Sequence, residues 1–387
     1  MAITSIVSPA TLNFAGNPII VKATTDKVLD TEKGESFLRI ACEVEVEDET
    51  YRDYKLNLEL SQPVADKGTA VFNLSDAFQS VINRRQMDID MNADGSDVTA
   101  CFDAAVCVRA YVTVRDVFLF DNQEVSSSKE PVIPEKNVNH IYAVPGRLTD
   151  FELLTFPNIL PETLSNGKAV SRKPDMGIVY KGEAIIVPVV NGSGSPTSRM
   201  EVSVGGITVA TRSDTLNHYS LEHQYLTVNT GAEGVLTVSS TRGDTKQGYY
   251  RTNTHGVHFL RFINGFGAVE NISVRSKDKL SYEVNGETHS LVQQASVRPT
   301  DRRYATKSQP VGVYELSSGY VPQRWAEWFV QELLTSPRVW IQLGGKWVPA
   351  LIEAEDDCVI YDRTKPEMPH VDFTLRLAID GVTGCTW

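Results

Sequence analysis

The chain has 387 residues, of which 41% are hydrophobic and 22% are charged, and its formal net charge is −12. This length and composition indicate a globular protein of two or three domains, each large enough to bury its own core. The acidic balance argues against a nucleic-acid partner, since phosphate binding needs a basic patch. The sequence contains no run of about 20 apolar residues, so membrane insertion is not predicted.

Residues 1–145 are predicted to form an N-terminal β-sandwich. The first five residues lack the basic start and apolar core of a secretory signal, which favours synthesis in the cytosol, with a mature secreted form as the alternative. Segments 38–46, 54–60 and 106–115 alternate apolar and polar residues, the pattern of a strand with one buried face. Between them, apolar residues at helical spacing follow Asn73, a residue type that caps helices, and predict a short covering helix over 74–82.

Residues 146–270 are predicted to form a middle β domain. Apolar alternation on both sides of Gly205-Gly206 predicts a hairpin with a two-residue turn. Later apolar segments, the last of them at 257–263, are expected to complete a second sandwich.

Residues 271–387 are predicted to form a C-terminal β domain with an amphipathic helix at 322–336. Asn285-Gly286 predicts a hairpin turn, and Gly344-Gly345 predicts another between strands 339–343 and 347–352. On the helix, aromatic and aliphatic residues share one face and polar residues, Glu332 among them, take the other. Alternation over 371–379 predicts a final strand. The fold class predicted for the whole chain is therefore mainly β, with two or three β-sandwich or β-barrel-like modules and one or two short covering helices.

One loop resembles half of a calcium site. Asp90, Asn92 and Asp94 precede Gly95 with the spacing of the first ligands of a calcium-binding loop. Position twelve of that loop is Cys101, where such loops have a bidentate Glu, so an acidic surface loop is the favoured interpretation. No metal is assigned.

Other candidate chemistry is weaker. The five cysteines form no C-x-x-C pair, which argues against a zinc knuckle or a disulfide framework. His255 and His258 would point to opposite faces of a strand, and the carboxylates around Glu353 are typical of a charged turn. We therefore expect no catalytic residues, no cofactor and no enzymatic activity.

Three tryptophans are candidates for a different role. Trp340 and Trp347 lie near the Gly344-Gly345 turn, and Trp387 is the last residue of the sequence. If exposed, they would suggest stacking against a glycan or a subunit contact; packing against the helix is the favoured alternative.

The segments 258–270 (HFLRFINGFGAVE) and 332–340 (ELLTSPRVW) resemble tail or baseplate structural proteins of phages and prophages from gut Bacteroidetes. The segments 17–21 (NPIIV) and 72–75 (FNLS) are similar to the same group. This resemblance spans nearly the whole chain and implies a non-enzymatic virion component, made in the bacterial host cytoplasm and built of β modules. It also implies assembly with copies of itself and with other tail or baseplate proteins.

A cell-surface adhesin or carbohydrate-binding β-sandwich protein, with a host surface glycan as its partner, is the alternative prediction. The two hypotheses differ in a measurable way, because a tail component forms rings or higher oligomers. A sugar-binding module is expected to be a monomer with an exposed aromatic platform.

Overall fold

The computed structural model describes residues 3–47, 54–87, 91, 107–133, 140–150, 152, 168–192, 197–215, 220–283, 288–290, 303–305, 311–353 and 368–378. Within these residues the chain is mainly β, with several sheets, a small closed barrel and short helices, which confirms the predicted fold class. No described helix is long and apolar enough to cross a membrane.

The N-terminal module is a sandwich of two sheets. Its strands are β1 (Ile3–Val7), β2 (Leu12–Phe14), β3 (Ile20–Thr25), β4 (Glu35–Glu47), β5 (Tyr54–Pro63), β6 (Thr69–Asn73), β7 (Val108–Phe120), β8 (Gln123–Ser126), β9 (Glu130–Pro131) and β10 (His140–Val144). One sheet has the order β1-β3-β6 and the other the order β2-β10-β7-β4-β5, with β8 and β9 also paired to β7. The predicted alternation is confirmed on β4, where Ile40, Cys42 and Val44 are fully buried.

The predicted covering helix is α1 (Ser75–Met87), and a 3-10 turn occupies Thr31–Lys33. Asn73 starts α1, since its Oδ1 accepts hydrogen bonds from the backbone N–H of Ser75 at 3.2 Å and of Ile19 at 3.1 Å. Phe78 and Ile82 on this helix are fully buried in the core of the sandwich.

The middle module is a second sandwich. Its strands are β11 (Lys168–Ala169), β12 (Gly177–Tyr180), β13 (Ala184–Asn191), β14 (Thr197–Val204), β15 (Ile207–Thr215), β16 (Ser220–Thr227), β17 (Gly234–Ser240) and β18 (Gly243–Arg251). They form one sheet of order β11-β13-β16 and one of order β12-β18-β17-β14-β15. The predicted hairpin is confirmed: Gly205 and Gly206 have φ of 59° and 81°, and β14 pairs with β15.

The third module is a closed barrel. Its strands are β19 (Val257–Ile263), β20 (Val269–Glu283), β23 (Val311–Ser317), β24 (Val339–Leu343), β25 (Lys346–Glu353) and β26 (Asp372–Leu377), and a separate pair is formed by β21 (Thr288–Ser290) and β22 (Arg303–Ala305). The predicted Gly344-Gly345 turn joins β24 to β25. The Asn285-Gly286 turn lies outside the described residues.

The prediction that strand 257–263 completes the second sandwich is wrong. This strand, β19, pairs along its whole length with β20 and also with β24, so it belongs to the barrel. The connection from β19 to β20 is short, which keeps the entropy cost of closing the hairpin low. The alternation of apolar residues within a strand does not show which strand it pairs with.

The predicted helix at 322–336 is present as α2 (Gln323–Trp328), which continues into a π-helical segment, Phe329–Leu334. Trp325, Trp328 and Phe329 are buried, as predicted. Glu332, expected on the solvent face, is only 3% exposed. The wider π turn advances side chains by a smaller angle per residue than an α-helix does, which alters the face that the second half of the helix buries.

The modules share one hydrophobic cluster. It contains side chains of the N-terminal module (Leu12 and Phe14), the middle module (Ala184 and Ile186) and the barrel region (Ile263, Phe266, Trp340 and Trp347). The contacts between modules are therefore apolar and buried, and they position the polar site described next.

Candidate functional site

A short turn between β19 and β20 lies where the three modules meet. Asn264, 3% exposed, accepts hydrogen bonds through Oδ1 from the backbone N–H of Phe266 at 3.0 Å and of Ala268 at 2.9 Å. Its Nδ2 donates to the carbonyl of Val170 at 3.1 Å and to Oε1 of Glu270 at 2.7 Å. One buried amide thus fixes the turn and joins it to the middle module.

Arg172 is the central cation of this junction. Its Nε and Nη2 donate to the two carboxylate oxygens of Glu152 at 2.8 and 2.7 Å, and its Nη1 donates to Oε1 of Glu332 at 2.6 Å. The guanidinium also lies 4.0 Å from the centre of the Phe266 ring. Such a bidentate and stacked arrangement suits arginine and not lysine.

Both carboxylates at Arg172 have further partners. Oε2 of Glu332 accepts a hydrogen bond from the backbone N–H of Gly265 at 2.5 Å. Burial acts to raise the pKa of Glu152, but the hydrogen bonds from Arg172 and Thr149 outweigh it and hold that pKa below its ordinary value. Both carboxyl groups are therefore engaged by Arg172 and by neighbouring donors, an arrangement that stabilises the junction.

The N-terminal module joins the same junction through the side chain of Asn17 and through the close approach of Pro145 to Gly267. Asn17 donates through Nδ2 to the carbonyl of Leu148 at 3.1 Å and accepts through Oδ1 from the N–H of Leu148 at 2.8 Å. Gly267 has φ of +70°, and a Cβ there would overlap Pro145. Glycine is required at this position by both its backbone conformation and the close approach of the segment that contains Pro145.

The middle module also contains a cavity of about 460 Å³. Its walls include apolar side chains from both sheets of the sandwich, among them Met176, Ile185 and Val238. Its polar lining includes Lys173, Lys246, Glu183, Glu270 and Asn271. The cavity is mixed in character: the cationic side chains of Lys173, Arg242 and Lys246 line it together with the carboxyl groups of Glu183 and Glu270.

Burial controls the electrostatics of this cavity. It raises the pKa of both Glu183 and Glu270, and in each case the charge of Lys173 opposes the rise. Lys173 Nζ donates to the carbonyl of Asn271 at 3.0 Å, and Oδ1 of Asn271 has no hydrogen-bond partner among the residues that the structure describes. Chemically, the cavity offers a hydrogen-bond acceptor and two poorly solvated carboxyl groups beside an ammonium.

An apolar row crosses the outer face of the five-stranded sheet. Ile178 on β12, Tyr249 on β18 and Val235 on β17 are cross-strand neighbours, and their exposures are 42%, 43% and 53%. We call these three residues the outer row. The outer row thus places three adjacent large apolar side chains on a face that is open to solvent.

The structure places the predicted site residues as follows. Asp90, Asn92 and Asp94 of the calcium-like loop lie outside the described residues, as does Trp387. Within the described ranges no group of three or more His, Cys, Asp or Glu side chains could hold a metal ion. Trp340 and Trp347 are 2% and 4% exposed, so they belong to the core and provide no platform for a glycan.

The remaining candidates are separate from one another. His258 lies 5.6 Å from the ring of Tyr314, and burial lowers its pKa, whereas His255 is exposed. Glu353 pairs with Arg376 at 3.5 Å on the barrel surface.

Sequence reasoning missed Arg172, Glu152, Asn264 and the buried role of Glu332. No local motif marks Arg172, because its partners are 20 and 160 residues away in the sequence.

No protein-family model matches the chain, and no curated protein sequence does. Among solved structures, a red sea bream transglutaminase is 10% identical to this chain, with a TM-score of 0.19. The match covers 65% of this chain and 32% of the transglutaminase, so this chain spans about a third of the length of that enzyme. Fibronectin(III)-like modules of Clostridium thermocellum CbhA are 12% identical, with 65% and 95% covered and a TM-score of 0.15. The polymeric Ig receptor ectodomain of a teleost fish is 7% identical, with 65% and 100% covered and a TM-score of 0.18. Likeness at these scores carries no conclusion about the activity of this chain.

Proposed function

We propose that this chain is a non-enzymatic structural subunit of a phage or prophage tail or baseplate. In this proposal it is made in the host cytoplasm, resides in the virion, and works by assembling with copies of itself and with other tail or baseplate proteins. The observation that supports the proposal best is the outer row of Ile178, Tyr249 and Val235, an exposed apolar surface on an otherwise ordinary sheet face.

The junction supports the same proposal. The charged groups of Arg172, Glu152 and Glu332 bind one another and the backbone of the β19–β20 turn, so they serve to join modules. A subunit that transmits load through an assembly needs such connections between its modules, and its function lies in its interfaces.

Size-exclusion chromatography with light scattering at high protein concentration, together with electron microscopy, tests the proposal. Rings or higher oligomers of the full chain are expected, and Val235→Lys should reduce them by placing a charge in the outer row. Val71→Lys is a matched control, since Val71 is 48% exposed and lies on β6 of the other sandwich.

Two results would contradict the proposal. One is a strict monomer that binds a defined glycan tightly, which would favour the adhesin or carbohydrate-binding alternative. The other is turnover of a compound that is lost in Glu183→Gln or Glu270→Gln, since these cavity carboxyl groups are the strongest candidates for enzymatic chemistry in the described chain.

A further inference from the structure

The N-terminal module presents an exposed aromatic residue on an unfavourable backbone. Phe37 is 77% exposed and has φ of 57°, a left-handed conformation that bulky residues rarely adopt. It lies in a bulge of β4, where the pairing with β7 shifts between Ser36 and Arg39. Glycine would fit this backbone better, so the phenyl ring is kept at a cost to folding, and such costs concentrate at functional positions.

Two further exposed apolar residues lie on the neighbouring β7–β8 hairpin, which pairs with β4. Phe120 is 40% exposed and Val125 is 38% exposed. Phe120 pairs with Glu35 of β4, two residues before Phe37, and Val125 pairs with Phe118. We call Phe37, Phe120 and Val125 the apolar tip.

The segments that carry the apolar tip are acidic. Residues 26–39 and 118–125 contain six carboxylates and three cationic side chains, a formal net charge of −3. Three ion pairs, Lys27–Glu35, Lys33–Asp30 and Arg39–Glu124, use all of these cations. Asp121 and Glu32 add exposed negative charge around the tip.

The residues that border the outer row carry the opposite charge, which is positive. Exposed Lys181 and Arg251 lie next to each other, since the N–H of Lys181 donates to the carbonyl of Arg251 at 2.9 Å. The Arg251 guanidinium lies 5.8 Å from the Tyr249 ring, and exposed Arg275 donates to the hydroxyl of Tyr180 at 3.3 Å. One exposed carboxylate, Glu233, is close to Arg251. In a chain of net charge −12, this border is locally positive.

We propose that the apolar tip of one copy docks on the outer row of a second copy. This inference rests on the proposed function and names the partner of the outer row. Apolar side chains would cover each other while the acidic border of the tip meets the basic border of the row. Because the two surfaces lie on different modules, the contact is head-to-tail, which produces rings or open chains of subunits and does not stop at a dimer.

Sedimentation velocity of the full chain over a range of concentrations tests this docking. The wild type should form species larger than dimers, and association should weaken as salt rises through the range in which charges are screened. Phe37→Gly should weaken association about ten-fold or more while its melting temperature stays equal or rises, because the left-handed backbone is relieved. Phe37→Asn is a second variant that tolerates this backbone. Leu351→Ser is the control, since Leu351 is 57% exposed on the barrel.

Mixing two variants identifies the head-to-tail geometry. Phe37→Gly retains an intact outer row, and Val235→Lys retains an intact apolar tip. At a concentration where neither variant associates with itself, an equimolar mixture of the two should form pairs that grow no further, because each pair uses its only complementary surfaces.

The outcomes separate this inference from the proposed function. Assembly of Phe37→Gly equal to that of the wild type overturns the tip-to-row contact but leaves the structural role standing. The same holds if the mixture forms no pairs or grows beyond them. A wild type that stays monomeric at every concentration overturns both.

Discussion

Arg172 Nη1 donates to Glu332 Oε1 at 2.6 Å and joins two residues that are 160 positions apart in the chain. Arg172 lies between β11 and β12 of the middle sandwich, and Glu332 belongs to the π-helical segment that packs on the barrel. Glu332 is 3% exposed, so this ion pair is largely withdrawn from water on the carboxylate side. Its integrity depends on both partners being present.

Glu332→Gln should lower the free energy of unfolding by about 3 kcal/mol, because it leaves part of the Arg172 charge buried without compensation. Urea denaturation measures this change. Asp150→Asn is the matched control: Asp150 pairs with Arg147 at 3.4 Å on the surface, and its loss should cost less than about 1 kcal/mol. Equal effects of the two variants would show that the buried pair has no special role.

Gly267→Ala should destabilise the chain much more than Gly256→Ala. The two glycines have nearly the same backbone, φ of +70° and +68°, so the strain of a left-handed alanine, about 1–2 kcal/mol, is common to both. A Cβ at Gly267 would also overlap Pro145, whereas nothing lies within 4 Å of one at Gly256. The additional loss at Gly267 is expected to be about 1–3 kcal/mol, and similar melting temperatures for the two variants would contradict the close approach of the modules.

Glu270→Gln should change how stability depends on pH. Burial raises the pKa of Glu270 in the folded protein above its ordinary value of 4.5, so the folded state binds the proton more tightly than the unfolded state does. The contribution of this group to stability is therefore present below pH 4.5 and is lost as pH rises from there through the raised folded pKa.

Glutamine keeps the size of this side chain and cannot ionise, so the variant should gain stability relative to the wild type as pH increases. Thermal melts of both proteins across the acidic to neutral range measure the difference. A difference that does not vary with pH would show that the pKa of Glu270 is not raised by folding.

Trp340→Ala should cost about 3–5 kcal/mol, because this side chain is 2% exposed in the cluster that the modules share. Tyr320→Ala is the matched control, since Tyr320 is 68% exposed and its loss should change stability by less than about 0.5 kcal/mol. Chemical denaturation measures both variants. A Trp340→Ala protein of unchanged stability would contradict its place in the core and return it to the candidates for an exposed contact.

The sequence predicted individual elements well where their pattern is local. The alternation of Ile40, Cys42 and Val44 predicted a half-buried strand, and the Gly205-Gly206 and Gly344-Gly345 pairs predicted two-residue turns. These predictions hold because a strand's side-chain period of two and the left-handed backbone of a tight turn are properties of a few consecutive residues.

The sequence misassigned elements whose place depends on pairing and contacts that local periodicity does not encode. The strand Val257–Ile263 has the same local pattern in a sandwich as in a barrel, and only its pairing with β20 and β24 decides between them. Glu332 follows the polar phase of an α-helix, yet the π-helical turn and the guanidinium of Arg172 make its burial favourable.

The sequence by itself therefore determined that this chain is a mainly β protein of several modules, because periodicity and turn chemistry are encoded residue by residue. Only the tertiary structure decided which strands share a sheet, that Trp340 and Trp347 are buried, and that Arg172, Glu152, Glu332 and Asn264 meet at one junction. The physical reason is that burial and ion pairing are set by groups brought together from far apart in the chain, and no local pattern contains that information.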